Sequence, residues 1–274
     1  MSDEVSSALK ELDYYGYTVL PQFLKPEETQ DLLGRVESAF SSSRKMTYSG
    51  VPERDFDDKI VYNLPVKDRK FLTLLLDPFV KSILMKKLND KFYRFMENDC
   101  PNYFLSYYNA RSSGKKLDLH IDSHIPSPGG YTWSMQVVYL LEDSTVDNGC
   151  TVVIPGSHKS GEYTDRSFEN TVDITGKAGD LIMWDSRLWH GTRENICGDS
   201  RWALIATLSS WWVKPSMDFT RAVSEELYQK LSDEEKALLG FCCIPTSDEG
   251  LRVNTKRGYA DLGSTKKENF TPDV

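Results

Sequence analysis

The chain has 274 residues, a net charge of −8, and 39% hydrophobic and 12% aromatic side chains. This composition is enough to bury a sizeable core, so disorder is not the default reading, and the acidic balance argues against a nucleic-acid partner because no basic excess exists to neutralise phosphates. The N-terminal MSDEVSSALKELDYYG reads as no secretory signal, and the longest mostly apolar run, Trp202 to Val213, falls short of the roughly 20 residues of a membrane span.

The cysteines are Cys100, Cys150, Cys197, Cys242 and Cys243. An odd set without C-x-x-C pairs suits neither a disulfide framework nor a zinc ribbon, so a reduced, cytoplasmic protein is expected. No repeat, low-complexity block or linker divides the chain, which predicts a single domain over residues 1–274 in three regions. To about residue 95, strand and helix signals alternate: YGYTVLPQF (15–23) reads as extended, PEETQDLLGRVESAF (26–40) as a helix with Pro at its start and acids in its first turn, and 68–88 as further helix around the Asp77-Pro78 break. The region 96–215 consists of runs rich in Val, Ile, Tyr, Trp and Thr, namely NYFLSYYNA, SMQVVYLLE, CTVVIPG, DLIMWDS and RWALIATLSSWWV, separated by turn residues. That pattern predicts a mainly β fold with flanking helices, a sandwich or barrel. Over 216–274 helix returns: Ser224 and Ser232 precede acidic and apolar positions, Gly240 reads as a stop, and the polar tail from about 246 reads as a mobile segment or lid.

The chain has four histidines, two of them in the stretch LHIDSHIPS. On a strand, residues i and i+2 share a face, so His120 and Asp122 project together while Ile121 turns into apolar surroundings. His124 lies near the Pro126 break and reads equally as substrate-facing or as solvated loop. A second imidazole must come from His158 or His190. His158 sits in a Pro/Gly turn and reads as structural, its ring bonding that turn. His190 follows an apolar run at a Gly191-Thr192 step and is the better candidate. Two imidazoles and a carboxylate form the facial triad of non-haem Fe(II) oxygenases, with open positions left for reactants. A lone strand histidine is more often structural, and H-x-D occurs by chance, so spacing alone leaves both readings standing. Arg201 heads an apolar run, where a guanidinium is costly unless it meets an anion. An internal salt bridge and an anchor for a dicarboxylate cosubstrate, with the Thr192 hydroxyl beside it, both fit.

Taken together, the GYTVLPQFLKPEE opening, LHID, DNGCTVVIPGSHKSG, GDLIMWDSRLWHGTREN closed by Arg201, and the late LSDEEKALLGF resemble the phytanoyl-CoA dioxygenase family of Fe(II)- and 2-oxoglutarate-dependent oxygenases, in the family's order from about residue 14 to 244. The resemblance implies a double-stranded β-helix, a jelly-roll barrel, with His120, Asp122 and His190 as iron ligands and Arg201 with Thr192 on the far carboxylate of 2-oxoglutarate. It adds Asn109, with its neighbour Tyr107, as a further cosubstrate contact. It implies oxidation of a C–H bond of a small molecule with O2, most often hydroxylation, releasing succinate and CO2. Desaturation, ring closure or epimerisation are variants, and halogenation is not expected with the Asp122 carboxylate present. Ser134, Gln136 and Val138 alternate on one strand face, and they, Trp133 and Trp189 are candidates for lining the cavity, although core is the expectation for at least half of the aromatics. Arg111, Lys115 and Lys116 read mainly as a solvated loop, with an anionic substrate as the lesser reading. A monomer or homodimer in a biosynthetic role is expected. A zinc hydrolase with the same ligands and a barrel that binds without turnover remain as alternatives.

Overall fold

β-Branched and aromatic runs pair as strands because their side chains pack well on a pleated surface, and the intervening Gly, Asn and Asp residues reverse the chain. In the computed structural model, which describes residues 2–43, 58–90, 100–164 and 167–244, the strands are β1 (Tyr17–Leu20), β2 (Asp58–Tyr62), β3 (Tyr103–Ser113), β4 (Leu117–His120), β5 (Ser134–Leu140), β6 (Thr151–Val153), β7 (Val172–Ile174), β8 (Leu181–Asp185), β9 (His190–Thr192) and β10 (Ala203–Ser210). They form a six-stranded sheet in the order β1-β8-β5-β10-β3-β2 and a four-stranded sheet in the order β4-β9-β6-β7, with antiparallel pairing throughout. From β3 onward the chain passes back and forth between the two sheets, which is the jelly-roll pattern. The tail read as a lid lies outside the described residues.

The helices are α1 (Ser2–Tyr14), α2 (Pro26–Ser43), α3 (Leu64–Lys67), α4 (Arg69–Leu74), α5 (Pro78–Leu88), α6 (Phe219–Ala222), α7 (Glu225–Lys230) and α8 (Asp233–Leu238). Val137 and Tyr139 of β5 and Leu204, Ala206 and Leu208 of β10 bury against helical residues such as Leu12, Leu32, Phe71 and Leu238. The opposite phase of the same strands, Val138, Leu140, Ala203 and Ile205, meets Val153 and Ile174 of the smaller sheet. One strand therefore feeds two cores, as period-2 alternation requires. Two buried phenols pin α4 to the larger sheet: the Tyr139 hydroxyl donates to the Leu74 carbonyl at 2.8 Å, and that of Tyr108 to Phe71 at 3.2 Å.

The C-terminal helices start where sequence places them. The Ser224 side chain accepts from the Leu227 amide, Ser232 and Glu235 form a reciprocal capping box, and Gly240 adopts φ 89°. α1 was not expected from the sequence, yet Val5, Ala8, Leu9 and Leu12 recur at helical spacing and pack into the main core. The extended reading of 15–23 narrows to β1, because Gln22 turns to φ 53°. All five cysteines are free thiols. Among the described residues no helix is long and apolar enough to cross a membrane.

Candidate metal centre

β4 and β9 bring two histidines face to face. Leu117 pairs with Thr192 and His120 with His190, so β4 carries one residue more than β9 between the two pairs. That bulge matters because residues 117 and 120 of a regular strand point to opposite sides; the extra residue brings both to the face of Thr192 and His190. The imidazole centroids stand 4.2 Å apart. The close approach also needs Gly191, where a Cβ would fall 2.5 Å from the Leu117 carbonyl oxygen. Leu119 and Ile121 point the other way, into a small core with Val152 and Trp189.

Asp122 lies just beyond the end of β4, and the larger protein supplies its support: its amide and that of Ser123 both donate to the Ser186 carbonyl, at 2.9 and 3.0 Å. The carboxylate reaches both rings, with Oδ2 at 3.3 Å from His190 Nε2 and Oδ1 at 3.6 Å from His120 Nε2. One ligand atom from each of the three residues lies within 4.8 Å of the others. A first-row ion holds imidazole nitrogen and carboxylate oxygen at about 2.0–2.2 Å, so neighbouring ligands of one ion stand on the order of 3 Å apart, and these spacings fit. The ring orientation fits as well. His120 Nδ1 meets the Asp118 carbonyl and His190 Nδ1 the Leu188 carbonyl, each at 2.9 Å. A carbonyl only accepts, so each Nδ1 carries a proton, and each Nε2, directed at Asp122, is the nitrogen left to ligate an ion. Burial alone raises the Asp122 carboxyl pKa, but His190 and His120 outweigh it and hold the group well below the usual carboxylate range. Burial lowers that of the His120 ring, and Asp122 reverses the sign and raises it. Three donors of mixed charge, poised on one point, are what a divalent ion needs.

The barrel side of β10 is less tightly sealed than its helix side. β10 is a central strand, and Leu204, Ala206 and Leu208 on its helix side are sealed, yet Ile205 and Thr207 on the barrel side stay partly exposed. Their partners on β3 are Asn109 and Tyr107. The Asn109 amide donates to the Tyr107 hydroxyl, while its own Oδ1 is buried without a hydrogen-bond partner. Buried polar atoms are normally satisfied, so the amide has one end to offer a guest. Burial raises the pKa of the Tyr107 phenol, and Asp122 adds a smaller push in the same direction. Arg201 donates its backbone amide to the Ser112 hydroxyl, and its side chain lies over Gly149, where a Cβ would stand 3.3 Å from Nε. Arg111 is a β3 residue paired with Ala203 rather than part of a loop, and it acts electrostatically on the His120 ring.

Other expected residues sit differently. Ser134, Gln136 and Val138 do face inward: Val138 joins the inter-sheet core. Gln136 accepts from Thr207 at 2.9 Å and donates to Ser186 at 3.3 Å, so both ends of its amide are taken up within the barrel. The Thr192 hydroxyl accepts from the Leu117 amide at 3.0 Å, bracing the start of β4. Trp189 is turned away from the ligands, with its ring in the core behind them and its Nε1 donating to Glu162; as the neighbour of His190 on a strand edge it must take the opposite face. Trp133 carries the Arg187 guanidinium over its ring, 5.5 Å from the centroid. His124 is exposed on the turn after Asp122, at φ 63°. The His158 ring does not bond its turn: both nitrogens are buried without a partner, and the ring packs where a Gly16 Cβ would meet its Nδ1 at 2.5 Å.

Sequence reading passed over Asp185, Ser186 and Arg187. Their signal was an acid and an arginine two residues apart in DSRLWH, directly before His190 and inside an otherwise apolar run.

The sequence profile of the phytanoyl-CoA dioxygenase (PhyH) family matches residues 12–203. Dioxygenase af480 of Aspergillus fumigatus is 27% identical over 253 residues, which is 89% of this chain and 79% of that protein. An iron/alpha-ketoglutarate-dependent dioxygenase of Aspergillus calidoustus, ausU, is 28% identical over 127 residues, 45% of this chain and 42% of the relative. Among solved structures, HygX from Streptomyces hygroscopicus, with nickel and 2-oxoglutarate bound, aligns with a TM-score of 0.59 at 18% identity, covering 76% of this chain and 88% of its own. The epimerase SnoN from nogalamycin biosynthesis aligns with a TM-score of 0.58 at 15% identity, covering 77% and 84%. At such identities the structures speak for the fold alone, a jelly roll shared with 2-oxoglutarate-dependent oxygenases. With the family profile spanning most of the barrel and the two-histidine, one-carboxylate cluster formed within it, this chain belongs to the phytanoyl-CoA dioxygenase family and is an iron- and 2-oxoglutarate-dependent dioxygenase.

Proposed function

We propose that the chain hydroxylates an unactivated C–H bond of a small, polar or natural-product molecule in a biosynthetic pathway, as a single domain. In this reading His120, Asp122 and His190 hold Fe(II), Arg201 takes the far carboxylate of 2-oxoglutarate, and Asn109 with Tyr107 contacts the cosubstrate beside the metal. The bound iron and cosubstrate supply the oxidising chemistry, with succinate and CO2 as co-products. The protein's own residues bind, orient and exclude water: the Arg201 fork turns a floppy keto acid into a positioned one, and the apolar core of Val138, Ile182 and Leu188 walls the barrel floor.

The observation that carries this reading is the convergence of two Nε2 atoms on one carboxylate at 3.3 and 3.6 Å. The hydrolase alternative would need a free general base beside the donors. Asp185, a buried carboxylate close by in sequence, is held by both Arg187 and Thr132. A barrel that only binds has no use for two imidazoles with fixed tautomers. HygX is known with hygromycin B bound, and SnoN with nogalamycin RO; those neighbours support a small-molecule substrate here. A screen of candidate small molecules for Fe(II)- and 2-oxoglutarate-dependent succinate release, with product analysis for an added oxygen atom, tests the proposal. Oxygen-containing product supports it, whereas succinate release with a desaturated or epimerised product overturns the hydroxylation.

A further inference from the structure

The turn from β8 to β9 contains a fully buried ion pair that the reaction scheme above does not use. Asp185 and Arg187 are 3% and 2% exposed. Arg187 Nε and Nη2 donate to the two carboxylate oxygens of Asp185, at 2.9 and 2.7 Å, and its backbone amide donates to Oδ1 at 2.9 Å. Thr132 donates its hydroxyl to Oδ2 at 2.7 Å. The remaining guanidinium nitrogen, Nη1, crosses to another loop and donates to the carbonyls of Gly129 and Ser127, at 2.9 and 3.3 Å. Removing two charges from water is expensive, and a buried pair of this kind is often no more stabilising than apolar residues of the same volume. Stability alone does not account for it.

Its connections do. The peptide between the two charged residues presents the Ser186 carbonyl, the acceptor for the amides of Asp122 and Ser123. Leu188, one residue further on, donates its amide to the Asp185 carbonyl at 2.8 Å and offers its own carbonyl to His190 Nδ1. One turn therefore orients the backbone of one expected ligand and the ring of another. Asp122 has left the β4 ladder, so no strand pairing fixes it in place of that carbonyl.

We propose that Arg187, locked onto Asp185, is a positioning residue for the metal centre: it fixes the 185–188 turn that aims Asp122 and His190, and ties the 127–129 loop to the same anchor. The inference rests on the ligand assignment under Proposed function. Outer partners of metal ligands typically govern affinity by about 10–100-fold, which sets the expected effect.

The test is anaerobic calorimetry of Fe(II) binding to the full chain, for the unchanged protein, Arg187→Lys, and the control Arg69→Lys. Lysine keeps the charge at 187 but cannot both fork to Asp185 and reach the Gly129 carbonyl. Arg69 makes a comparable two-pronged contact to the buried Glu235, at 2.7 Å each, among the helices. Arg187→Lys is expected to bind Fe(II) about tenfold more weakly with 2-oxoglutarate affinity unchanged, and Arg69→Lys is expected to lower the melting temperature with Fe(II) affinity unchanged. Unaltered Fe(II) affinity in folded Arg187→Lys overturns the inference while leaving the ligand assignment intact. An equal loss in Arg69→Lys also overturns it, because the effect then follows general stability. Failure of the unchanged protein to bind Fe(II) refutes the ligand assignment and the inference together. If Arg187→Lys does not fold, Asp185→Asn combined with Arg187→Gln removes both charges at once and carries the same expectation.

Discussion

β5 and β4 belong to opposite sheets of the barrel and are built under different constraints. All seven residues of β5 are buried, packed between helices on one side and the inter-sheet core on the other. β4 has four residues, one of them buried, a bulge in its pairing with β9, and an end at His120 where Asp122 begins. The large sheet satisfies itself through strand pairing and apolar area. The small sheet needs bracing beyond its ladder: from outside by the Ser186 carbonyl, and within β9 by the Thr192 hydroxyl and the absent side chain of Gly191. The sheet that carries the metal ligands is thus short-stranded and braced, while β5 and β10 at the centre of its partner run seven and eight residues and are sealed on their helix side. Changes in β4 and β9 should move metal binding more than stability, and changes on the helix-packed face of the large sheet the reverse.

The largest break is expected from Asp122→Ala. It removes the only carboxylate of the cluster and leaves the hydrophobic core untouched, so 2-oxoglutarate-dependent succinate release should fall to background while the circular dichroism spectrum and melting temperature hold. Next is Arg201→Gln. Loss of a charge-assisted contact is worth about 1.5–3 kcal/mol, or roughly 10–100-fold in half-saturation for 2-oxoglutarate, with Fe(II) affinity unchanged; equal loss of both would place Arg201 at the metal instead.

In the large sheet, Tyr139→Phe deletes a buried hydroxyl and its bond to the Leu74 carbonyl, which keeps only the bond from the Asp77 amide at 3.3 Å; the loss should cost about 0.5–1.5 kcal/mol of unfolding free energy. Denaturant titration measures that loss, and Fe(II) binding should not register it; a drop in metal affinity would dissolve the contrast between the sheets. The smallest effect concerns pH. Burial lowers the His158 pKa, outweighing the pull of Asp185. A histidine with its folded pKa below the unfolded value of about 6.5 contributes fully above that pH, and the contribution fades as pH falls through it, because the unfolded chain takes up a proton that the folded one resists. His158→Gln should flatten the decline of stability below about pH 6.5; an unchanged slope would assign that decline to other groups.

Much of this contrast was legible in the sequence. Alternation in SMQVVYLLE and ALIATLSS carries the large sheet, since period 2 with apolar residues on both phases describes a strand buried on both faces. Helix 26–40 and the two serine-capped helices were legible because capping residues announce themselves locally. H-x-D placed His120 and Asp122 on one face by parity, and the structure brings them together with His190 by another route: β4 stops at His120, and a carbonyl from a distant turn carries Asp122 on. Backbone acceptors leave no mark in side-chain chemistry, so the Ser186 carbonyl was legible only indirectly, through the acid and arginine on either side of it. β2, β7 and the three-residue β9 are too short for periodicity to register. Trp189, read as a cavity candidate or core, lies in the core, as the strand rule that adjacent residues face apart requires of the neighbour of His190. His158 was expected to bond its turn, yet shape rather than hydrogen bonding holds it, against a glycine that leaves room for the ring.

The account stands most directly on anaerobic titration of Fe(II) into the full chain, with and without Asp122→Ala. It predicts one ion bound per chain in the unchanged protein and loss of that binding in the variant with its fold preserved. One ion bound with equal affinity by both proteins would contradict it.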